Sequence, residues 1–164
     1  MRADRLSLRL PAISKTVTRG LFLAAVCFAA DFFQFRNFGP LKDDWSFVGP
    51  IIWDTQDSLF QKVLAQANTF ERRPLRFVES IMLWTAYKGA GFTGIFFTLW
   101  AALSANAILL YVLLRRRWPE PLALMGALLF LLFPSDATHA WPSYLVARLA
   151  LGYCFVACLL FAAG

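Results

Sequence analysis

The stretch GFTGIFFTLWAALSANAILLYVLL, residues 91–114, decides the fold, because it runs for 24 residues without a charged side chain. As an α-helix it would be about 36 Å long, which exceeds the roughly 30 Å thickness of the hydrocarbon core of a bilayer. Three arginines follow it directly, Arg115, Arg116 and Arg117. By the positive-inside rule these arginines place that end of the helix in the cytoplasm, so the stretch predicts a transmembrane helix.

The composition of the whole chain agrees with a membrane protein. Of its 164 residues, 59% are hydrophobic and 16% are charged, and the mean hydropathy is +0.57. Soluble domains average about 45–50% apolar and about 25% charged residues, and one small soluble core cannot bury this excess. The three cysteines lie in apolar runs and lack the spacing of a zinc site or a disulfide scaffold. The net charge of +6 is concentrated beside apolar runs, so no nucleic-acid partner is predicted.

The remaining apolar runs predict an all-α, polytopic fold with four transmembrane helices in a single domain. The predicted spans are residues 20–35, 91–114, 121–133 and 143–164. Residues 1–19 and 115–120 then lie in the cytoplasm with both basic clusters, while residues 36–90 and 134–142 lie outside. We therefore expect a multi-pass protein of a bacterial inner (plasma) membrane with a cytoplasmic N-terminus.

Two alternatives concern the ends of the chain. Residues 20–30 resemble the apolar region of a cleaved signal peptide, although the aromatic stretch FFQFRNF (32–38) favours an interfacial belt that continues the first helix. Residue 164 follows directly on an apolar run, so we expect the N-terminal part of a longer polytopic protein, with a short natural chain as the alternative.

The long first external loop contains the residues that are candidates for a catalytic role. Residues 54–70 show apolar side chains at helical spacing and predict an amphipathic surface helix, capped by Asp54 or Asp57. Residues 77–87 predict a second, interfacial or re-entrant helix. Before both comes an adjacent acidic pair, Asp43 and Asp44. Neighbouring carboxylates raise each other's proton affinity, so one of them suits a general base; the alternative is a solvated turn.

The order of these features resembles the GT-C class of polytopic glycosyltransferases, whose relatives include protein O-mannosyltransferases and aminoarabinose transferases. The resemblance lies in the segments LKDDWSF (41–47), ERRPLRF (71–77) and FPSDATHAWPSY (133–144). It implies a membrane lipid environment, a polyprenyl-phosphate-linked sugar donor, an exoplasmic acceptor of unidentified type, and a first-loop Asp as the catalytic carboxylate. The family often has Asp-Glu where this chain has Asp43-Asp44, so either acid is a candidate. Family members have more spans than four, and no cofactor or metal is predicted here.

Two ionisable residues fall inside predicted spans. Arg148 lies about 8 Å from the outer end of the fourth span, and Asp31 lies in the outer half of the first. Charges inside a membrane are costly and by default suggest function. Arg148 either extends its charge to the interface or binds the phosphate of the carrier lipid, oriented by Asp31.

The other candidates for substrate binding lie at the outer surface. Asp136 and His139 share the second external loop, where the lone histidine is either a structural hydrogen-bonding residue or a ligand. Arg73 lies before the second loop helix and contacts either lipid headgroups or a carrier phosphate. The rival hypothesis for the whole chain is a non-enzymatic four-helix subunit of a transport or assembly complex, whose acidic loop binds a partner.

Overall fold

The computed structural model describes residues 9–33, 45–54, 58–67, 74–133 and 141–162 of the protein. Every regular element within these ranges is helical, and no strand occurs in them. The all-α prediction is therefore confirmed for the part of the chain that the structure describes.

The helices largely follow the apolar runs of the sequence. They are α1 (Arg9–Cys27), α2 (Trp45–Ile52), α3 (Leu59–Ala67), α4 (Pro74–Arg115), α5 (Glu120–Leu132) and α6 (Leu145–Phe161). A π-helix, Phe28–Phe32, continues α1, and a 3₁₀ turn, Pro142–Tyr144, leads into α6. Helix α1 begins at Arg9, before the apolar run at residue 20, and the part before that run includes the polar residues Lys15 and Arg19.

Helix α4 contains the two pieces that the sequence separates, and they meet at a sharp break. Ala90 has φ −148° and ψ 21°, and Gly91 has φ 59° and ψ −145°, a conformation that favours glycine. A Cβ atom on Gly94 would lie 2.1 Å from the carbonyl oxygen of Ala86, so the second piece starts directly against the end of the first. The non-helical residues, Ala90 and Gly91, lie where the sequence separates residues 77–87 from residues 91–114.

The long helix α4 is the centre of the molecule and contacts each of the other helices. Apolar side chains from α1, α4 and α5 are buried in this core; they include Leu23, Cys27, Leu99, Leu103, Ala107, Ala123 and Ala127. The Trp100 indole Nε1 donates a hydrogen bond of 2.9 Å to the Ala24 carbonyl oxygen, which joins α4 to α1. Buried indole N–H groups need such a partner, so this bond helps to fix how the two helices meet.

Near the middle of α1, an ion pair joins this helix to α5. Arg19 Nε lies 2.8 Å from Glu120 Oε1 and donates a hydrogen bond to it. This hydrogen bond holds the pKa of the Glu120 carboxyl below its usual range. Glu120 is also the first residue of α5, where the helix dipole favours a negative charge.

Two helical segments, Pro74–Arg115 and Pro142–Phe161, are long and apolar enough to cross a membrane, while α5 is apolar but shorter. In their most apolar windows only 33% and 11% of the residues are buried. The core helix of a soluble protein would be mostly buried, whereas here apolar side chains face outward, as at Leu160 (68% exposed) and Phe161 (91% exposed). The described structure therefore supports a membrane protein.

Candidate functional site

Of the predicted site residues, Arg148 lies within the described structure. The other five, Asp43, Asp44, Arg73, Asp136 and His139, lie outside the described residues. The candidate site is therefore built from the surroundings of Arg148.

The backbone of Arg148 is held by a polar contact between α4 and α6. The Asn106 side chain, 2% exposed, donates a hydrogen bond of 2.9 Å from Nδ2 to the Arg148 carbonyl oxygen. Gly152, one turn further along α6, leaves room for this contact, because a Cβ atom there would lie 2.7 Å from Asn106 Oδ1. A polar side chain opposite a small residue is a recurrent way for apolar helices to associate.

Arg148 also lines a groove of about 190 Å³ between α4 and α6. The walls of the groove are mostly apolar and include Ala102, Ala105, Leu109, Leu149 and Val156. Asn106, Arg148 and Tyr153 complete the lining, whose exposed surface is almost entirely apolar. An apolar groove with an arginine among its lining residues suits a ligand that has an apolar chain and an anionic group.

Helix α1 brings a carboxylate to the same region. Cys27 is fully buried, and its thiol lies next to Ser104 and interacts electrostatically with both Asp31 and Arg148. Asp31 belongs to the π-helical turn Phe28–Phe32, a rare geometry that recurs at functional sites. Asp31 and Arg148, the two charges that the sequence places inside predicted spans, thus both lie in the neighbourhood of Cys27, where α1, α4 and α6 meet.

The sequence analysis missed Glu79, which is central to this region. The Glu79 carboxylate, 3% exposed, accepts a 3.1 Å hydrogen bond from the backbone N–H of Val146 and a 2.8 Å hydrogen bond from Arg76 Nη1. Val146 lies in the first turn of α6, where backbone N–H groups have no partner within the helix and attract negative charge. Glu79 therefore caps α6 from another helix. The signal in the sequence was an acidic residue inside the apolar run FVESIMLW (77–84).

A second polar contact joins α3 and the residue Asp54, which follows α2, to α4. Lys62 of α3, 4% exposed, forms an ion pair with Asp54, and Lys88 Nζ donates to the Asp54 carbonyl oxygen at 3.4 Å. Asp54 is thus not the cap of α3, as the sequence suggested; Ser58 Oγ fills that role by accepting the Gln61 N–H at 3.2 Å. Asp57, the other predicted cap, lies outside the described residues.

Within the described ranges, no group of three or more His, Cys, Asp or Glu side chains is placed to hold a metal ion. The chain matches no known protein family, no curated protein and no solved structure.

Proposed function

We propose that the protein is a membrane glycosyltransferase, or part of one, which transfers a sugar from a polyprenyl-phosphate carrier to an acceptor on the outer side of the membrane. In this proposal it spans a bacterial inner membrane four times with its N-terminus in the cytoplasm. The observation that carries the proposal is the apolar groove between α4 and α6 with Arg148 beside its walls.

The groove suits a carrier lipid for two physical reasons. An arginine in the membrane costs at least about 2.5–3.5 kcal/mol near the bilayer centre, and a bound anionic ligand offsets part of that cost. The planar guanidinium group binds phosphate with two parallel hydrogen bonds, which a lysine cannot do. The apolar walls accept an isoprenoid chain without any loss of hydrogen bonding. A polyprenyl phosphate carries both the anionic group and the apolar chain.

The chemical step is assigned to Asp43 or Asp44. The carrier lipid cannot leave the bilayer, so it presents its sugar close to the headgroup plane, and the acidic pair follows the predicted first span by only a few residues. The acceptor must lose a proton as it attacks the anomeric carbon and displaces the carrier phosphate. A carboxylate positioned to take that proton contributes about 10²–10⁴-fold to the rate.

The test is a pair of variants, Asp43→Asn and Asp44→Asn, made in the full chain and reconstituted in liposomes with a panel of polyprenyl-phosphate sugars and a bacterial envelope extract as the source of acceptors. The measured quantity is the release of polyprenyl phosphate. We expect one variant to lose at least about 10²-fold in rate, which corresponds to about 2.7 kcal/mol, and the other to lose much less. Glu120→Gln makes the same acid-to-amide change away from the candidate site and should keep the parent rate. If both aspartate variants release carrier at the parent rate, the acidic pair is a solvated turn.

The second candidate is a non-enzymatic subunit of a transport or assembly complex. It is favoured by the outer face of α6, where only 11% of the most apolar window is buried, because such a face also suits a neighbouring subunit. In this case the parent protein would release no carrier phosphate from any donor in the panel.

A further inference from the structure

We infer that Glu79 is a positioning residue for Arg148: through the backbone of α6 it fixes where Arg148 stands in the lining of the groove and thereby sets the preference of the groove for a phosphate-bearing lipid. The inference rests on the proposed role of Arg148 as a ligand of the carrier phosphate. Its basis is that two buried side chains of α4 hold the α6 backbone on either side of this arginine.

The first of these two hydrogen bonds lies on the N-terminal side of Arg148. Glu79 accepts the Val146 N–H at 3.1 Å, two residues before Arg148. In the first turn of a helix this N–H has no partner along the chain, so a buried acceptor from another helix fixes both the start of the helix and its rotation.

The second hydrogen bond is made at the C-terminal side of Arg148, by its carbonyl group. Asn106 donates to the Arg148 carbonyl oxygen at 2.9 Å, and the absence of a side chain on Gly152 lets the amide approach. The N–H of Val146 and the carbonyl of Arg148 are thus both bound to α4, from positions far apart in its sequence. With the backbone fixed at these two points, the Cα atom from which the Arg148 side chain extends is also fixed.

Arg76 explains why Glu79 acts through the backbone and not as a direct counter-ion. The Arg76 guanidinium group donates a hydrogen bond of 2.8 Å to Glu79 Oε2, while Glu79 Oε1 accepts the hydrogen bond from the Val146 N–H. The charge of Glu79 is therefore balanced on its own helix. What Glu79 gives α6 is an acceptor oxygen; a glutamine keeps one acceptor oxygen, which can serve Val146 or Arg76 but not both.

The experiment compares two probes of equal chain length, geranylgeranyl phosphate and uncharged geranylgeraniol, titrated against the full chain in nanodiscs. Native mass spectrometry measures the affinity for each probe, and the ratio of the two affinities gives the phosphate preference. Circular dichroism and elution as a single species establish that each variant is folded.

We expect Glu79→Ala to lower the phosphate preference by about tenfold, the scale of one buried interhelical hydrogen bond, with the affinity for geranylgeraniol unchanged. Glu79→Gln keeps one acceptor oxygen and should retain more of the parent preference than Glu79→Ala does. Arg148→Ala should lose the preference entirely. A role of Glu79 in stability alone would alter the affinities for both probes together and would not be rescued by glutamine.

The outcomes separate the inference from the proposed function. If Arg148→Ala loses the preference while folded Glu79→Ala keeps it, the positioning role is overturned and the role of Arg148 stands. If Arg148→Ala also keeps the preference, carrier binding in the groove is overturned together with the inference. If Glu79→Ala does not fold, Glu79→Met decides, because methionine fills a similar space without an acceptor oxygen: a lowered preference supports the inference, and the parent preference overturns it. Glu120→Gln serves as the matched control and should leave the preference unchanged.

Discussion

Gly152 is the residue whose small size the contact between α4 and α6 requires. In Gly152→Ala the new Cβ atom would lie 2.7 Å from Asn106 Oδ1, so the amide must move and its hydrogen bond to the Arg148 carbonyl oxygen is lost. Overpacking of this kind costs about 1–3 kcal/mol. We therefore expect the variant to unfold at a lower temperature than the parent in the same detergent, as measured by a thermal stability assay.

Gly89→Ala is the control for this substitution. A Cβ atom on Gly89 meets nothing within 4 Å, and alanine is the better helix former by up to about 1 kcal/mol. The control should melt at or above the parent temperature. An unchanged melting temperature in Gly152→Ala would mean that Asn106 can move away without loss, and the account of this contact would be wrong.

At the scale of single residues, the sequence singles out Arg148 and Asp31 because each is a charge inside an apolar run. It does not reveal Glu79 or Asn106 as their neighbours. The partner of each residue depends on which helices touch and at what height along their axes. Hydrophobic periodicity predicts which face of a helix is buried, but it contains no information on which other helix covers that face.

At the scale of elements, the break in α4 was readable from the sequence, because glycines at 89, 91 and 94 separate two apolar runs. The start of α1 at Arg9 was not readable from the sequence. Hydropathy detects where a helix enters an apolar environment, whereas a helix extends into water wherever its residues are good helix formers. The π-helical turn at Phe28–Phe32 also has no signal in the apolar pattern.

The two glycines at the break have different physical roles, which substitution can separate. Gly91 has φ 59° and open space around it, so Gly91→Ala should cost about 1–3 kcal/mol through backbone conformation alone. Gly94 is helical, but a Cβ atom there would lie 2.1 Å from the Ala86 carbonyl oxygen. In Gly94→Ala the two parts of α4 must therefore separate.

Spin labels at the exposed positions Thr85 and Ala101, one on each side of the break, measure this separation in a background without the native cysteines. We expect Gly94→Ala to lengthen the mean distance between the labels, and Gly89→Ala to leave it at the parent value. If Gly94→Ala gives the parent distance, the close approach of the two parts is not required by the fold.

At the scale of the whole molecule, composition and run length were sufficient to predict an all-helical membrane protein, and the structure shows helices with outward apolar faces. The number of spans and their direction depend on the membrane and on the positions of the basic clusters. These quantities are not properties of the contacts between helices, so the four-span topology stays a prediction that labelling can test.

The test uses two exposed positions, Ser58 next to α3 and Trp118 between α4 and α5. Cys27, Cys154 and Cys158 are first replaced by alanine, and a single cysteine is then placed at either position. If Arg115–Arg117 hold their end of α4 in the cytoplasm, a membrane-impermeant maleimide added outside intact cells should label Ser58→Cys and not Trp118→Cys. Permeabilised cells should label both, which shows that each thiol is reactive. Protection of Ser58→Cys in intact cells would place the loop helices in the cytoplasm. The acidic pair Asp43-Asp44 would then be on the wrong side of the membrane for the proposed exoplasmic acceptor.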